Sequence, residues 1–376
     1  MPVPFAPENP SVAPMDAASQ HRPRPLPLFL EMVRRETAGA PDRLAAALAG
    51  LRRYQQAPRL VPPPPAPVVA RAGRAVLRDF GVPTAASAAA PAVLFVPSLI
   101  NPPSVLDLAP DRSLLRWLAT QGLRPLIVDW GTPTPADAGQ DVAAHVEQML
   151  LPLLDGLDGL GRPPALVGYC LGGTMAIAAA AVRPVAALAL IAAPWSFAGF
   201  PDSARADIAG LWADAAPAAA RLGLLPMEVL QAAFWSLDPV RTVARFEDFA
   251  TRADIAAHVG LEDWANDGPP IALAAGRELF EEFFAADRPG RGAWTVAGRS
   301  IDATRLACPV LDILSTTDRI VPAASALSGT LNRPGTLHHA TRLSLDLGHV
   351  GMVVGRHGPD RLWRPLRDWL LHTAAG

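Results

Sequence analysis

Short, mainly apolar runs alternate with stretches of helical periodicity from residue 75 onward. The runs lie at residues 75–79, 92–97, 125–129, 165–169, 185–192, 310–315 and 342–347. Such runs are typical of parallel strands buried on both faces, since helices then connect one strand to the next. The pattern therefore predicts an α/β fold, with a mostly parallel sheet covered by helices on both sides.

Two parts of the chain do not follow this alternation. Between residues 196 and 300, helical segments such as 240–252 and 271–287 replace the strands, which predicts a helical cap at the carboxyl edge of the sheet. Residues 1–74 combine a proline-rich arm, helical stretches at 29–36 and 42–54, and a proline run at 62–65. We therefore expect an arm (1–74), a core (75–195 and 301–376) and an inserted cap or lid (196–300).

Composition narrows the classes of function. Half of the residues are hydrophobic, 18% are charged and the mean hydropathy is +0.21, which indicates a globular core rather than disorder or a coiled coil. A net charge of −2 provides no broad basic surface for nucleic acid. All 33 cationic residues are arginine, so Schiff-base and P-loop lysine chemistry is excluded, although a GC-rich coding background also accounts for this bias.

Cysteine usage and the apolar tracts bear on location. Cys170 and Cys308 are too few for a disulfide framework or a cysteine-built metal site, so no metal and no cofactor is predicted. Arg183 and Pro184 divide the apolar tract 174–200 into pieces too short to span a membrane. Residues 1–20 lack the basic and apolar regions of a secretory signal. These features predict a cytoplasmic protein with no membrane span.

The strongest local signal is a strand that runs into Gly168-Tyr169-Cys170-Leu171-Gly172 and then into a helix. This is the pattern of a nucleophile elbow with cysteine in the position of serine, where glycines permit a strained turn and close strand–helix packing. The turn also puts Cys170 at a helix N-terminus, which favours the thiolate. The alternative interpretation is a glycine-bounded turn around a buried, unreactive cysteine.

Two later strands end in residues that can complete a catalytic triad. Asp318 follows the run 310–315, and His349 follows the run 342–347. Nucleophile, acid and histidine in this chain order are typical of the α/β-hydrolase fold. We therefore predict Cys170 as nucleophile, Asp318 as orienting acid and His349 as general base.

The remaining candidates are weaker. The backbone N–H of Leu171 and that of Ile100 or Asn101, in the loop after strand 92–97, are the predicted oxyanion donors. Cys308 precedes a strand and is expected to be a structural small hydrophobe. The other histidines lack the context of a strand end and are expected on surfaces or helix faces: His21, His145, His258, His338, His339, His357 and His372. Asp312 and Asp346 are expected within strands.

At this point the sequence resembles the polyhydroxyalkanoate synthase family of the α/β-hydrolase superfamily. The resemblance depends on the strings GYCLGGT (168–174), LGHVGMVVG (347–355), NPPSVLDL (101–108) and VDWG (128–131), and on Asp318 followed by Val321 and Pro322. It covers about residues 75–372, and its motifs are most similar to those of the short, two-subunit type. One position differs: Arg319 stands where the family commonly has histidine.

The resemblance implies an acyltransferase that polymerises (R)-3-hydroxyacyl-CoA into polyhydroxyalkanoate, releasing CoA through a thioester on Cys170. It also implies acyl-CoA and the growing polyester as partners, a homodimer or second synthase subunit, and a location at the surface of polyester granules. The cap supplies a candidate lid with the apolar residues Phe234, Trp235, Phe246, Phe249, Phe280, Phe283 and Phe284. Two alternatives are a cysteine-type hydrolase or depolymerase on this fold and a non-catalytic granule-associated paralogue.

Overall fold

The computed structural model describes residues 23–58, 62–81, 90–252, 256–330 and 340–375. His21, His338, His339 and the first 22 residues of the predicted arm lie outside these ranges. Within them, eight strands form one sheet. They are β1 (Val68–Ala72), β2 (Ala75–Asp79), β3 (Ala92–Val96), β4 (Arg124–Asp129), β5 (Ala165–Tyr169), β6 (Leu188–Ile191), β7 (Val310–Ser315) and β8 (Ala340–Leu345).

The strand order across the sheet is β1-β2-β4-β3-β5-β6-β7-β8. Strand β2 pairs antiparallel with both β1 and β4, and all later neighbours are parallel. Parallel neighbours bring their carboxyl ends to one edge, where β5, β7 and β8 each deliver a predicted site residue. This sheet confirms the predicted α/β class.

The α-helices of seven residues or more are α1 (Leu26–Glu36), α2 (Pro41–Gln56), α3 (Leu114–Thr120), α4 (Leu171–Val182), α5 (Asp202–Leu222), α6 (Met227–Leu237), α7 (Pro239–Thr251), α8 (Ala256–Asn266) and α9 (Arg364–Ala375). Shorter α-helices are Val142–His145, Leu151–Asp155, Leu273–Arg277, Leu327–Thr330 and Gly351–Val354, and π-helical turns cover Val146–Leu150, Glu278–Ala285 and Pro359–Trp363. Two-residue and three-residue strands form small separate hairpins at Asp107–Ala109 with Arg112–Ser113 and at Thr295–Val296 with Arg299–Ser300, and Leu224–Leu225 pairs with Ile271–Ala272.

Apolar side chains cover both faces of the sheet. Leu94 and Leu166 lie in the core that includes α4 and the helical segments at 142–155. Their neighbours Phe95 and Val167 lie in the opposite core, against α3 and the C-terminal helix α9. Since successive strand residues point to opposite faces, strands buried in this way need the near-continuous apolar runs seen in the sequence.

The helices α1 and α2 form a hairpin that packs on α6 and α7, and a third apolar cluster joins these four helices. The Phe29 ring lies 4.6 Å from that of Phe246 in α7 and 5.5 Å from that of Trp235 in α6, measured between centroids. A Cβ atom at Gly50 would collide with the carbonyl oxygen of Phe246, so glycine permits the close approach of α2 to α7. The N-terminal hairpin therefore supports α6 and α7.

The structure differs from the expected pattern at a few element bounds. Strand β1 was not predicted, because its five residues, VVARA, are mostly exposed and include an arginine, so they do not form a buried apolar run. The segment predicted as one helix at 271–287 begins with the strand Ile271–Ala272 and ends in a π-helical turn. Asp346 lies one residue beyond β8, exposed and paired with Arg361, rather than within the strand.

Candidate active site

Cys170 lies in a strained turn between β5 and α4. Its backbone has φ 55° and ψ −133°, which is a conformation that residues with a side chain rarely adopt. A Cβ at Gly172 would collide with the carbonyl oxygen of Val96, and one at Gly168 would collide with Gly173. The flanking glycines are therefore required by packing, as the elbow pattern predicts.

Helix α4 begins at the residue after Cys170, which is its N-cap. The Cys170 carbonyl accepts a hydrogen bond from Gly173 N–H at 2.8 Å, and its own N–H donates to the Ile191 carbonyl at 3.0 Å. The sulfur is half-buried and stands at the positive end of the helix dipole. This position favours a negative charge on sulfur.

Asp318 and His349 approach each other from the loops after β7 and β8. His349 Nδ1 lies 2.7 Å from Asp318 Oδ2, and both side chains are buried. The other carboxylate oxygen accepts hydrogen bonds from the backbone N–H groups of Ile320 at 2.8 Å and Val321 at 3.0 Å. The carboxylate is thus fixed by three donors, and the ring is oriented with its second nitrogen free to face another group.

Cys170 and His349 line the same cavity, and the two side chains are close enough for each to influence the charge of the other. Burial lowers the pKa of His349, but the Asp318 carboxylate, the charge on Cys170 and the hydrogen bonds to both outweigh it and raise this pKa to about 10. The environment therefore favours the protonated imidazolium of His349 beside the Asp318 carboxylate. The structure brings together the three residues to which the sequence assigns catalytic roles.

Tyr169 adds a support that sequence reasoning did not single out. Its ring lies 5.2 Å from the His349 ring, tilted by 30°, and its hydroxyl is 3.4 Å from the His349 carbonyl oxygen. The position of Tyr169 in the motif could have indicated this contact, because Tyr169 is the last residue of the buried strand β5 and directly precedes the nucleophile.

The three predicted oxyanion donors differ in their surroundings. Leu171 is the first residue of α4, immediately after Cys170. The N–H of Ile100 donates to Ser98 Oγ at 3.1 Å, and the side-chain amide of Asn101 is 3.5 Å from the Ala265 carbonyl oxygen. Use of the Ile100 N–H would thus require Ser98 Oγ to release it, whereas Leu171 lies directly beside the nucleophile.

Arg319 points away from the triad. Its guanidinium is 2.5 Å from Asp238 Oδ2 and largely exposed. Asp238 separates α6 from α7, and its other carboxylate oxygen accepts from the Arg241 N–H at 3.1 Å. The arginine at this position therefore connects the loop of the acid residue to the cap.

The other candidates lie in different environments. Cys308 is buried, and burial raises the pKa of its thiol to about 11, which disfavours the thiolate. Asp312 is buried within β7 and accepts a hydrogen bond from the Ser328 N–H at 2.6 Å. His145 lies in the helix Val142–His145 and is buried. One ring nitrogen is 2.6 Å from the Arg74 guanidinium and the other 2.6 Å from the Asp141 carbonyl oxygen, and burial lowers its pKa to about 4.

Two cavities meet at Cys170. One, here called the His-side cavity, has a volume of about 180 Å³. It is lined by His349 and by the polar side chains of Gln231, Thr242 and Arg245. The other, here called the apolar cavity, has a volume of about 80 Å³ and lies against Leu171. Ile100, Cys170, Phe234 and Ile320 line both.

The cap residues of the His-side cavity were missed as site residues. Thr242 and Arg245 lie three residues apart in α7 and therefore on one face of it, which was an available signal. Arg245 is held by Glu262, whose carboxylate lies 2.9 Å from the guanidinium. Of the seven predicted lid residues, Phe234 and Trp235 line this cavity, whereas Phe246 and Phe249 pack on the N-terminal hairpin.

Within the described ranges, no three His, Cys, Asp or Glu side chains are grouped so that they could hold a metal ion, and no helix is long and apolar enough to cross a membrane.

No protein-family model matches this chain. Among curated proteins, the chain is 28% identical over 295 residues to the poly(3-hydroxyalkanoate) polymerase subunit PhaC of Haloferax mediterranei, an alignment covering 74% of this chain and 58% of that protein. It is 26% identical over 314 residues to the subunit of the same name from Allochromatium vinosum, covering 78% and 85%. The chain thus spans somewhat more than half the length of the Haloferax relative. These similarities confirm the resemblance that the motifs predict.

A solved esterase from Thermogutta terrifontis has a TM-score of 0.52 to this chain at 16% identity, covering 82% of this chain and 99% of the esterase. At this identity the likeness concerns the fold alone. Together with the strand order, it confirms the predicted α/β-hydrolase fold.

Proposed function

We propose that this chain is an acyltransferase that polymerises (R)-3-hydroxyacyl-CoA into polyhydroxyalkanoate with release of CoA. The observation that carries the proposal is the contact of Cys170, His349 and Asp318 at one edge of the sheet, beside two cavities. The similarity to poly(3-hydroxyalkanoate) polymerases supports the choice of substrate. We also propose that the chain is divided into an N-terminal arm (1–74), a catalytic core (75–195 and 301–376) and an inserted cap (196–300).

The first half of the cycle forms an acyl-enzyme. The thiol proton of Cys170 rests on the ring of His349, whose raised pKa holds it there, and the sulfur attacks the thioester carbonyl carbon as a thiolate. The Leu171 N–H stabilises the oxyanion that develops on the carbonyl oxygen. The carbon–sulfur bond to CoA then breaks, and the CoA sulfur leaves as a thiol with the proton from His349.

The second half extends the polymer. The hydroxyl of another hydroxyacyl unit gives its proton to His349, and its oxygen attacks the carbonyl carbon of the Cys170 thioester. An ester bond forms, the bond to the sulfur breaks, and the proton stays on His349 beside the freed sulfur. The raised pKa of His349 supports this role, because a ring that holds a proton strongly is an effective acceptor.

A thiol suits this cycle better than a hydroxyl. Transfer from the CoA thioester to an enzyme thioester exchanges one thioester for another, so the acyl group remains activated for attack by a weak nucleophile. Water competes with the incoming hydroxyl, and the cap helices that line both cavities are the groups in position to exclude it. A hydrolase or depolymerase would instead use water at the same step.

The assembly and location belong to the same proposal. We infer that the chain acts at the surface of cytoplasmic polyester granules, as a homodimer or with a second synthase subunit. The similarity to proteins named as polymerase subunits supports a partner chain.

Incubation with 3-hydroxybutyryl-CoA tests the proposal, with free thiol and polymer length measured together. We expect CoA release to accompany growth of the polymer. Release of monomeric 3-hydroxybutyrate without polymer, or shortening of added polymer, would indicate the hydrolase instead, and no thiol release would indicate the non-catalytic paralogue.

A further inference from the structure

A short loop beside Cys170 borders cavities on two sides. Residues 97–102 connect β3 to the helical turn Pro103–Leu106, and Ser98 and Asn101 line the His-side cavity together with Cys170. The same two loop residues also line a separate cavity of about 230 Å³, here called the rear cavity. Close packing, which usually fixes a segment inside a protein, is therefore incomplete around this loop.

Two indole N–H groups hold the ends of the loop instead. Trp130, the residue after β4, donates to the Pro97 carbonyl oxygen at 3.0 Å. Trp264, near the end of α8, donates to the Pro102 carbonyl oxygen at 2.8 Å. The loop is thus fastened at its first residue by the core sheet and at its last residue by a helix that lines the His-side cavity.

The Pro97 carbonyl lies where the loop meets the helix of the nucleophile. A Cβ atom at Gly172 would stand 2.5 Å from this oxygen, so the loop runs directly against the first turn of α4. That turn begins with Leu171, whose N–H is the donor to the oxyanion in the proposed cycle. Because the peptide unit is planar, a hydrogen bond that fixes the C=O of Pro97 also fixes the direction of the next N–H.

The indole of Trp130 is itself held by its neighbours. It is buried, and its ring meets the His145 ring edge-on at 6.0 Å between centroids. Since Arg74 can only donate, Nε2 of His145 beside it accepts, and Nδ1 therefore donates to the Asp141 carbonyl oxygen at 2.6 Å. Burial lowers the pKa of this histidine to about 4, so the ring that supports Trp130 is uncharged at neutral pH.

The residues on either side of Trp130 fix the turn that carries it. Asp129 Oδ1 accepts a hydrogen bond from the Gly131 N–H at 3.2 Å, and Asp129 Oδ2 lies 3.0 Å from the Arg78 guanidinium. Gly131 has φ 66°, and a Cβ there would stand 2.8 Å from the Arg74 carbonyl oxygen. The string VDWG (128–131), to which the catalytic cycle gives no role, therefore presents the indole to the loop.

We propose that Trp130 and Trp264 are positioning residues, which hold the loop so that its backbone N–H groups face the oxyanion formed during attack by Cys170. Trp130 lines the rear cavity and not the His-side cavity, so it acts through Pro97 rather than on the substrate. Trp264 lines the His-side cavity and can act in both ways. The inference rests on the proposed function only for the attack of Cys170 on a carbonyl, a step that the hydrolase alternative shares.

Two replacements at Trp130 separate its N–H from its ring. Trp130→Phe keeps an aromatic ring without the donor, and β-(3-benzothienyl)alanine at this position keeps the shape of the indole with sulfur in place of the N–H. In both, kcat for CoA release should fall roughly tenfold to a hundredfold, the scale expected for a misplaced catalytic group, while KM changes little. Trp264→Phe should lower kcat as well.

Trp212→Phe is the matched control. The Trp212 indole is also buried and donates to Glu281 Oε1 at 2.8 Å, but it lines neither the His-side, the apolar nor the rear cavity. This variant loses an indole hydrogen bond of the same kind away from the loop. Its kcat should equal that of the wild type.

Two reactions of Cys170 distinguish stabilisation of an oxyanion from a general change of the site. Propyl trifluoromethyl ketone takes up the thiolate at its carbonyl carbon, and the electron pair of the C=O bond moves to oxygen, giving a hemithioketal oxyanion whose affinity is measured by fluorine NMR. Iodoacetamide alkylates the sulfur with loss of iodide and forms no oxyanion. Both Trp130 replacements should weaken the ketone adduct by the same factor as kcat/KM, while the alkylation rate and its pH dependence stay at wild-type values.

The outcomes separate this inference from the proposed function. Equal kcat and ketone affinity in the wild type and both Trp130 replacements would overturn the inference, since the loop would then keep its place without the indole N–H. Alkylation slowed by the same factor as CoA release would also overturn it, because the nucleophile itself would have been disturbed. If the wild type releases no CoA but ketone affinity still falls with Trp130 replaced and not in Trp212→Phe, the proposed function is wrong and the inference stands.

Discussion

His349 Nδ1 lies 2.7 Å from Asp318 Oδ2, and the second ring nitrogen is left to face Cys170. The carboxylate is fixed by two backbone N–H groups, so the ring cannot turn without losing a buried charge-assisted hydrogen bond. This geometry determines both the tautomer of the imidazole and how strongly it holds its proton.

The first prediction concerns the pKa of His349. Because Asp318 and Cys170 raise it from 6.5 to about 10, Asp318→Asn and Cys170→Ala should each lower it, the first by more. NMR titration of isotopically labelled histidine measures it directly. An unchanged pKa in both variants would contradict the proposed charge arrangement.

Stability should follow the same shift. A pKa raised on folding stabilises the folded protein fully below pH 6.5, and the contribution is lost as the pH rises towards about 10. The difference in unfolding free energy between wild type and His349→Gln should therefore shrink across that window. Denaturant titrations at several pH values provide the measurement, and a difference that grows with pH would count against it.

The second prediction concerns the nucleophile. Cys170→Ser should fold, since the hydroxyl occupies the same elbow, but CoA release should slow by about a hundredfold or more because proton loss from a hydroxyl is much harder. Circular dichroism controls for folding, and thiol release measures the rate. Release at the wild-type rate would remove the argument for a thioester.

The third prediction tests the close contact of the N-terminal hairpin with the cap. Gly50→Ala should lower the unfolding free energy by about 1–2 kcal/mol, because its Cβ collides with the Phe246 carbonyl oxygen. Gly210→Ala is the matched control, since that helical position is open, and alanine should stabilise it by about 0.5–1 kcal/mol. Equal effects of the two substitutions would mean that α2 does not pack on α7 this closely.

The fourth prediction concerns the ion pair of Arg319 with Asp238. An exposed pair contributes less than about 1 kcal/mol, so Arg319→Gln should barely change stability. It should nevertheless speed alkylation of Cys170 by a bulky maleimide, because the pair connects the acid loop to the junction of two helices that line the cavity. Arg361→Gln, which removes the exposed pair with Asp346, is the control and should have no such effect. Equal labelling rates would show that the pair does not restrain the cap.

Sequence patterns were informative where local chemistry determines structure. The buried strands carry continuous apolar runs, and the elbow needs glycines at defined positions, so the strands around Cys170 and the chain order of the three site residues could be identified. Element bounds differed by a few residues where strand ends carry polar or charged side chains, as at β8.

Long-range packing was not accessible in the same way. Nothing local to α1 and α2 indicates that their apolar faces meet Trp235 and Phe246, about 200 residues later in the chain. The partner of Arg319 is likewise not evident from the sequence, since Asp238 lies 81 residues earlier in the chain. The predicted Ile100 donor is bonded to Ser98 because of a loop conformation that no short motif specifies.

The central claim is that Cys170 carries the acyl group, and the most direct test is CoA release from 3-hydroxybutyryl-CoA by wild type, Cys170→Ala and Cys308→Ala. We expect Cys170→Ala to release none and Cys308→Ala, whose thiol is buried and has a raised pKa, to retain a large fraction of the wild-type rate. Mass spectrometry of the trapped intermediate should locate the acyl group on Cys170. Loss of activity in Cys308→Ala with a fully active Cys170→Ala would contradict the account.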